Sequence, residues 1–291
     1  MKLLFFVTFA VYAAAVALEF TGTAFRKEKL LKAAWIVFLA AFALHTVFFV
    51  ARGVAAKRLP LSNQFEFASG FAWGAALLSI VLCGRGKADW LKVAALPAVL
   101  LIMTYAALQP MEIRDLMPAL RSAWFGVHIG SAVLAYAAFV IAGCIGARYL
   151  VFSKRQEPDK KALDQMDFLS YRLVSFGFLF LTVVILSGAI WAEQAWSSFW
   201  SWDPKEVWAL ITWIIYAVYL HMRLRSGRKG KKMAWFLVIA VFLVFFTFDH
   251  HRILIVGNVA CQRRRRLGKV GVGSVMPRSV PASFAVKPER K

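Results

Sequence analysis

Long apolar runs are the feature that most restricts what this chain can fold into. Hydrophobic residues make up 60% of its 291 positions, and short basic loops separate the runs. A run of roughly 20 apolar residues can cross a bilayer as a helix, which satisfies its own backbone hydrogen bonds there. The sequence therefore predicts an all-α fold, a polytopic integral membrane bundle of about eight transmembrane helices. The predicted spans are Leu3–Ala24, Ala33–Val50, Ala68–Cys83, Leu91–Leu108, Ala123–Phe152, Leu173–Trp191, Val207–Arg223 and Met233–Val256.

The basic residues predict the orientation of these helices. The formal net charge is +21 at pH 7. Because Lys and Arg lie in short loops between apolar runs, the charge indicates membrane topology and not a nucleic-acid-binding surface. In the loops between the spans, 17 Lys and Arg residues lie in one set of alternate loops, at 26–32, 85–87, 154–172 and 223–232, and 6 lie in the other set. The positive-inside rule places that set in the cytoplasm. The termini and the loop between the sixth and seventh spans are then expected on the outer face.

A tryptophan-rich segment, residues 191–206, joins the sixth and seventh spans. Its core, WSSFWSWDPKE, sets three indoles against an Asp-Pro-Lys-Glu turn. An aromatic belt at the membrane interface is one interpretation, because Trp is enriched there. The other is a site for a large planar ligand such as a porphyrin, because clustered indoles stack on flat rings. The candidate binding residues are Trp196, Trp200, Trp202 and Asp203.

An iron porphyrin also needs axial ligands, and the chain has five histidines. His128 lies about one turn into the fifth span, level with the tryptophan-rich segment, whereas His221 lies roughly 21 Å deeper than the start of the seventh span. One heme cannot use both, but two heme positions could. Each histidine could instead hydrogen-bond to a neighbouring helix. His45 lies in the middle of the second span, where it could either pack against a neighbouring helix or bind heme. His250 and His251 lie near the outer end of the eighth span.

Three stretches of the chain resemble a known family. The run WAEQAWSSFWSWDPKEVWALITWIIYAVYLHMR at 191–223 resembles the tryptophan-rich WWD signature of the heme-handling proteins of cytochrome c maturation. The stretches LHTVFFVARGVAAKRLPLSNQFEFASGFAW at 44–73 and SAWFGVHIGSAVLAYAAF at 122–139 resemble its CcsA (ResC) branch. The likeness covers residues 1 to about 248. It implies a transmembrane heme-handling domain over 1–256. It also implies a location in the bacterial cytoplasmic membrane, and a plastid thylakoid membrane is the alternative.

The resemblance also implies a task for particular residues. His128 would be the outer axial ligand of heme b. His221 would be an intramembrane ligand, and a CcsB/ResB-like membrane subunit would supply its partner ligand. The three tryptophans and the aspartate named above would hold and orient the porphyrin. The heme is then presented to the CXXCH motif of apocytochrome c. The chain is therefore expected to be a subunit of a cytochrome c synthase, or heme lyase, complex that positions heme without a catalytic side chain of its own.

The sequence departs from the family pattern in two places. Ser197 stands where the family usually has glycine after the first tryptophan. The family's second outer histidine, in a Gly-x-His-Ser-Tyr run after the last span, is missing, and the likeness stops near Phe248. His250 or His251 could substitute for it. The segment 257–291, with consecutive arginines at 263–266, is expected to be a basic disordered tail that touches lipid headgroups, or else the product of an altered reading frame.

Two other classes of function are consistent with the same residues. One is a heme transporter or chaperone without ligation activity, as the related CcmC proteins would imply, although these are shorter. The other is a structural membrane subunit whose tryptophans form only an aromatic belt. A ResB-like partner encoded nearby would argue against the first alternative. Heme bound after purification would argue against the second.

Overall fold

The computed structural model describes residues 1–84, 88–113, 115 and 120–245, and the regular structure in these ranges is helical. The end of the eighth predicted span, His250, His251 and the segment 257–291 lie outside the described residues. A short 3-10 turn, Asp89–Leu91, precedes the fourth helix. The helices are α1 (Lys2–Ala24), α2 (Glu28–Ala56), α3 (Gln64–Cys83), α4 (Lys92–Ala107), α5 (Ala123–Phe152), α6 (Lys160–Trp196), α7 (Pro204–Arg225) and α8, described over 231–245.

The prediction of a polytopic helical membrane bundle is confirmed. Within the described ranges, seven helices, α1 to α7, with the 3-10 turn Asp89–Leu91 counted as part of α4, are long and apolar enough to cross a membrane. The eighth begins at residue 231, two residues before the predicted start of its span.

Helix α5 is the centre of the bundle. Of its most apolar stretch, 83% is buried inside the chain, compared with 17% for α7, which is therefore peripheral. Small residues let neighbouring helices approach α5 closely, as is usual in membranes. At Gly146, for example, a Cβ atom would lie only 2.9 Å from the carbonyl oxygen of Ala234 in α8. The bounds of α5 agree with the predicted span.

Helix α6 is much longer than its predicted span, Leu173–Trp191. It begins at Lys160, because the Asp159 carboxylate caps it by accepting hydrogen bonds from the backbone N–H groups of residues 161 and 162 at 2.9 and 3.3 Å. Its first turns are polar, so hydropathy finds only the part that crosses the bilayer. At the other end the helix continues to Trp196. The first part of the tryptophan-rich segment is therefore helical.

Helices α6 and α7 form an antiparallel hairpin. Midway along it, the Trp213 indole N–H donates to Thr182 Oγ1 at 2.9 Å. At the far end the buried side chains of Arg223 and Asp167 form an ion pair. At the near end, Ser122, just before α5, donates a hydrogen bond to Gln194 Oε1 at 2.7 Å. The start of α5, the end of α6 and the start of α7 thus lie together, and we call this part of the bundle the tryptophan end.

Candidate functional site

His128 lies in a cradle formed by one face of α6. Its Nδ1 atom is 2.8 Å from the backbone carbonyl oxygen of Val184. One turn further along α6, Gly188 leaves room for the imidazole, since a Cβ atom there would lie 2.8 Å from Nδ1. Nearly one turn beyond, the Trp191 indole stacks on the ring, with centroids 6.0 Å apart and planes 24° from parallel. Positions 184, 188 and 191 recur at helical spacing, so they form a single stripe.

This cradle decides which nitrogen of His128 can bind a metal. A carbonyl oxygen can only accept a hydrogen bond, so Nδ1 carries the proton and Nε2 of the neutral ring keeps its lone pair. Histidines that bind metals commonly donate their other ring N–H to a carbonyl or carboxylate, which fixes the tautomer and the ring orientation. His128 therefore has the arrangement of an axial ligand that would bind iron through Nε2.

An aromatic cluster surrounds this histidine. Phe125 lies 5.3 Å from the Trp191 ring, and Trp196 meets the same ring edge-on at 6.0 Å. Trp196 is 62% exposed. The Trp191 ring thus contacts both His128 and Trp196. The sequence predicts Trp191 as part of the tryptophan-rich segment but does not predict a role for it. The spacing of Trp191 from the predicted ligand could not reveal the stacking, because the two residues belong to different helices.

Trp200 and Trp202 form a second aromatic pair in the loop between α6 and α7. Their rings meet edge-to-face with centroids 5.8 Å apart, and Trp202 is 71% exposed. The backbone of Trp202 is left-handed, with φ +58°. A bulky residue adopts this conformation only at an energetic cost, and such strain is often found at functional sites. The loop therefore presents the exposed ring of Trp202 beside the half-buried ring of Trp200.

Asp203 and Glu206 have a clear structural role, which the sequence reasoning missed. Asp203 is the N-cap of α7 and accepts a hydrogen bond from the Lys205 backbone N–H at 2.7 Å. Glu206 reaches back to the Asp203 N–H at 3.2 Å, which completes a capping box, and Pro204 occupies the first helical position. Asp, Pro and Glu at these spacings are the sequence signature of a helix start. The Asp-Pro-Lys-Glu turn therefore begins α7 directly after the tryptophan pair.

The capping role predicts how α7 responds to substitution of Asp203. Asn caps a helix about as well as Asp does, whereas Ala loses about 1 kcal/mol of helix stability. We expect Asp203→Asn to keep the thermal stability of the purified protein and Asp203→Ala to lower it. Heme occupancy should follow the same order, because the cap fixes the tryptophan loop. If both variants lose heme equally at unchanged stability, the carboxylate itself contacts the ligand.

Ser197 occupies a position that favours glycine. It ends α6 in the left-handed conformation, with φ +57°, and its N–H binds the Glu193 carbonyl at 2.9 Å. A side chain there costs about 1 kcal/mol that glycine avoids. The glycine that the resemblance implies at this point would adopt this conformation without that cost. We expect Ser197→Gly to raise the midpoint of thermal unfolding in detergent. The neighbouring Ser198→Gly is the matched control, and equal shifts for both would contradict this interpretation.

His221 lies on the uncovered face of α7. The buried residues of this helix are Thr212, Tyr216 and Tyr219. At 100° per residue, His221 points to the opposite side, and its side chain is exposed in the isolated chain. It lies about 26 Å along the helix from Pro204, so it is far from the tryptophan end. The structure does not bring His221 and His128 together.

His45 is completely buried between three helices. Its Nε2 is 3.0 Å from Ser69 Oγ in α3, and its Nδ1 is 3.4 Å from the Tyr12 hydroxyl in α1. Tyr12 also packs against the ring edge-on, with centroids 5.8 Å apart. Both ring nitrogens thus have partners within the protein. This is the geometry expected of the packing alternative.

Comparisons with known proteins show the family to which this chain belongs. The family model described as Cytochrome C assembly protein matches residues 61–254, a range that contains α3 to α7 and the whole tryptophan end. The match ends before the segment 257–291. Neither His128 nor the tryptophans are assigned a role by this match.

Curated relatives named Cytochrome c biogenesis protein CcsA extend the comparison. The Chlamydomonas reinhardtii protein is 37% identical over 65% of this chain and 57% of its own length. The Marchantia polymorpha protein is 29% identical over 84% and 90%, and the protein of Synechococcus sp. (strain RCC307) is 31% identical over 72% and 78%. The chain thus spans little more than half of the first relative and most of the other two. It belongs to the cytochrome c assembly protein family, in its CcsA branch, and the predicted place in c-type cytochrome biogenesis is confirmed.

Proposed function

We propose that this chain binds heme b at its tryptophan end and presents it for covalent attachment to apocytochrome c. The observation that carries this proposal is the His128 cradle, in which Nδ1 is bound by the Val184 carbonyl and Nε2 is left for iron. Heme is the substrate in this reaction and is not a resident cofactor. Gly188 leaves the room that the ring needs to keep this orientation.

The aromatic residues give the porphyrin a surface on which to lie. Trp196 and Trp202 are largely exposed, although they are large apolar side chains. Indoles stack on flat rings at an offset or meet them edge-on, and they lose little conformational freedom when they do so. We assign to these tryptophans the orientation of the porphyrin plane relative to His128. The capped start of α7 holds their loop in place.

The chemistry that follows is thioether formation. Each cysteine of the CXXCH motif adds its sulfur to one carbon of a heme vinyl group, and the thiol proton goes to the other carbon, so no oxidant is consumed. The thiolate is the nucleophilic form. The contribution of this chain is to hold the vinyl groups still and close to the incoming cysteines, which converts a bimolecular reaction into an oriented one. Its His128 would leave the iron when the histidine of CXXCH replaces it.

We also propose that His221 ligates heme at a second site, which heme occupies before it reaches His128. His221 lies on the exposed face of a peripheral helix, near the end opposite to His128. A CcsB/ResB-like membrane subunit that covers this face would supply the opposite axial ligand. The positive-inside rule supports an orientation with His221 toward the cytoplasm and the tryptophan end at the outer face of the bacterial cytoplasmic membrane. Heme would thus move from the inner to the outer position.

The proposal is tested by the absorbance spectrum of the purified chain, co-expressed with a ResB-like subunit. We expect copurified heme whose reduced spectrum has the sharp bands of low-spin, six-coordinate iron. Because the axial ligands set the electronic state of heme iron, the spectrum reports directly on them. Purification of the folded complex without heme, and failure to take up added heme, would contradict the proposal.

A further inference from the structure

A cavity of about 280 Å³ opens beside the His128 cradle, between the loop that precedes α3 and the first turns of α5. Its lining combines apolar side chains with two arginines. Leu61, Leu120 and Ile129 contribute apolar surface, and Arg58 and Arg121 contribute the charge. An apolar pocket with a few charged groups is suited to an amphiphilic anion.

Arg58, in the wall of this cavity, is held by a buried carboxylate. Glu66 is completely buried and pairs with two guanidinium groups, at 3.0 Å from Arg52 Nε and 2.8 Å from Arg58 Nη1. The Ser62 backbone N–H and hydroxyl also donate to the same carboxylate, at 3.0 and 3.1 Å. The Arg58 guanidinium is therefore fixed in position beside the cavity that it lines.

Arg121 adds a second positive group at the mouth of the cavity. It is exposed, and it lies one residue before the N-cap of α5, Ser122. Among the residues that the structure describes, Arg121 has no ion-pair partner. Its guanidinium is therefore available for a carboxylate, with which arginine forms two parallel hydrogen bonds.

The cavity lies next to the histidine cradle, and Phe125 lies between them. Phe125 lines the cavity and also lies 5.3 Å from the Trp191 ring, which in turn stacks on His128. Phe125, Gly126 and Ile129, which face the cavity, belong to the same turn of α5 as His128. A flat ligand bound to His128 through its centre would therefore have an edge near the two arginines.

We propose that this cavity binds the propionate carboxylates of the heme whose iron His128 ligates. Arg121 hydrogen-bonds to a carboxylate, and Arg58, held in place by Glu66, supplies favourable charge at the cavity wall. This inference rests on the proposed function and deepens it, because it fixes which edge of the porphyrin faces the loop at 58–61. The vinyl edge, opposite to the propionates, is then left toward the incoming apocytochrome.

The test compares heme with its dimethyl ester, in which both propionates are blocked. Binding of each to the full-length chain is followed by absorbance titration, for the wild type and for Arg121→Gln. We expect the wild type to bind heme more tightly than the ester. Arg121→Gln should bind heme about tenfold more weakly and lose most of its preference for heme over the ester, because a charge-assisted hydrogen bond is lost. Arg121→Lys, which keeps the charge, should retain part of the preference.

Lys57→Gln is the matched control, since Lys57 is an exposed cation at the end of α2, next to Arg58, and does not line the cavity. It should bind both porphyrins as the wild type does. Arg121→Gln with unchanged preference for heme over its ester would overturn the inference. So would a variant that keeps the preference but loses copurified anionic phospholipid, because the site would then bind a lipid headgroup. Loss of heme binding in His128→Ala, measured in parallel, shows that the proposed function stands even if the propionate site fails.

Discussion

Alanine in place of His128 is expected to abolish c-type cytochrome assembly, and added imidazole is expected to restore part of it. The variant removes the imidazole that lies in the α6 cradle. Its Nδ1 is bound by the Val184 carbonyl, so its Nε2 is the nitrogen that can ligate iron. The variant also leaves a space bordered by Gly188 and Trp191 that a free imidazole fits. Imidazole bound there can ligate iron through its own nitrogen, which is why rescue separates a ligand from a packing residue.

Heme staining of c-type cytochromes measures this result in a strain that depends on this chain. Membrane levels of the variant must equal those of the wild type, and imidazole must leave the wild type unchanged. Normal assembly by His128→Ala would show that His128 is no ligand. Loss of assembly together with loss of protein from the membrane would show a role in folding.

Gly188→Ala is expected to weaken heme binding about 10- to 100-fold without removing the protein from the membrane. A methyl group at this position would lie 2.8 Å from His128 Nδ1 and 2.9 Å from its Cε1, so the ring has to move. Movement of the ring breaks its hydrogen bond to the Val184 carbonyl and lets the imidazole rotate or change tautomer. Loss of such a partner of a metal ligand typically reduces affinity by this factor.

Gly130→Ala provides the matched control, because Gly130 lies in α5 close to His128 and an added Cβ there meets nothing within 4 Å. Absorbance titration with heme should give wild-type affinity for this variant. The affinity of Gly188→Ala should fall while its reduced spectrum shifts away from that of the wild type. Equal affinities for the two alanine variants would contradict the cradle.

The sequence predicts the membrane architecture well, for a physical reason. Apolar length is a local property, and the bounds of α5 could be read directly from it. Apolar length does not predict that α6 begins as early as Lys160, because the first turns of this helix are polar. The start of α7 could have been found from the Asp-Pro-Lys-Glu turn alone. Its residues fit a ligand site by their types, but their spacing is that of a complete helix cap.

The supporting contacts of the site could not be predicted in this way. The partner of His128 is a backbone carbonyl, which any residue provides, so its identity depends on the register between α5 and α6. The pairing of Glu66 with Arg52 and Arg58 likewise requires the loop between α2 and α3 to fold back. The exposure of His221 follows only once the buried face of α7 is known.

The spectrum of heme bound to His128→Cys tests the central claim most directly. A thiolate in place of imidazole changes the axial ligand of the same iron, and ligand identity governs the absorbance bands and the reduction potential. If Nε2 of His128 binds the iron, the bands of this variant shift from those of the wild type and the reduction potential falls. A spectrum and potential identical to those of the wild type, at equal heme occupancy, would show that the iron of the bound heme has another ligand.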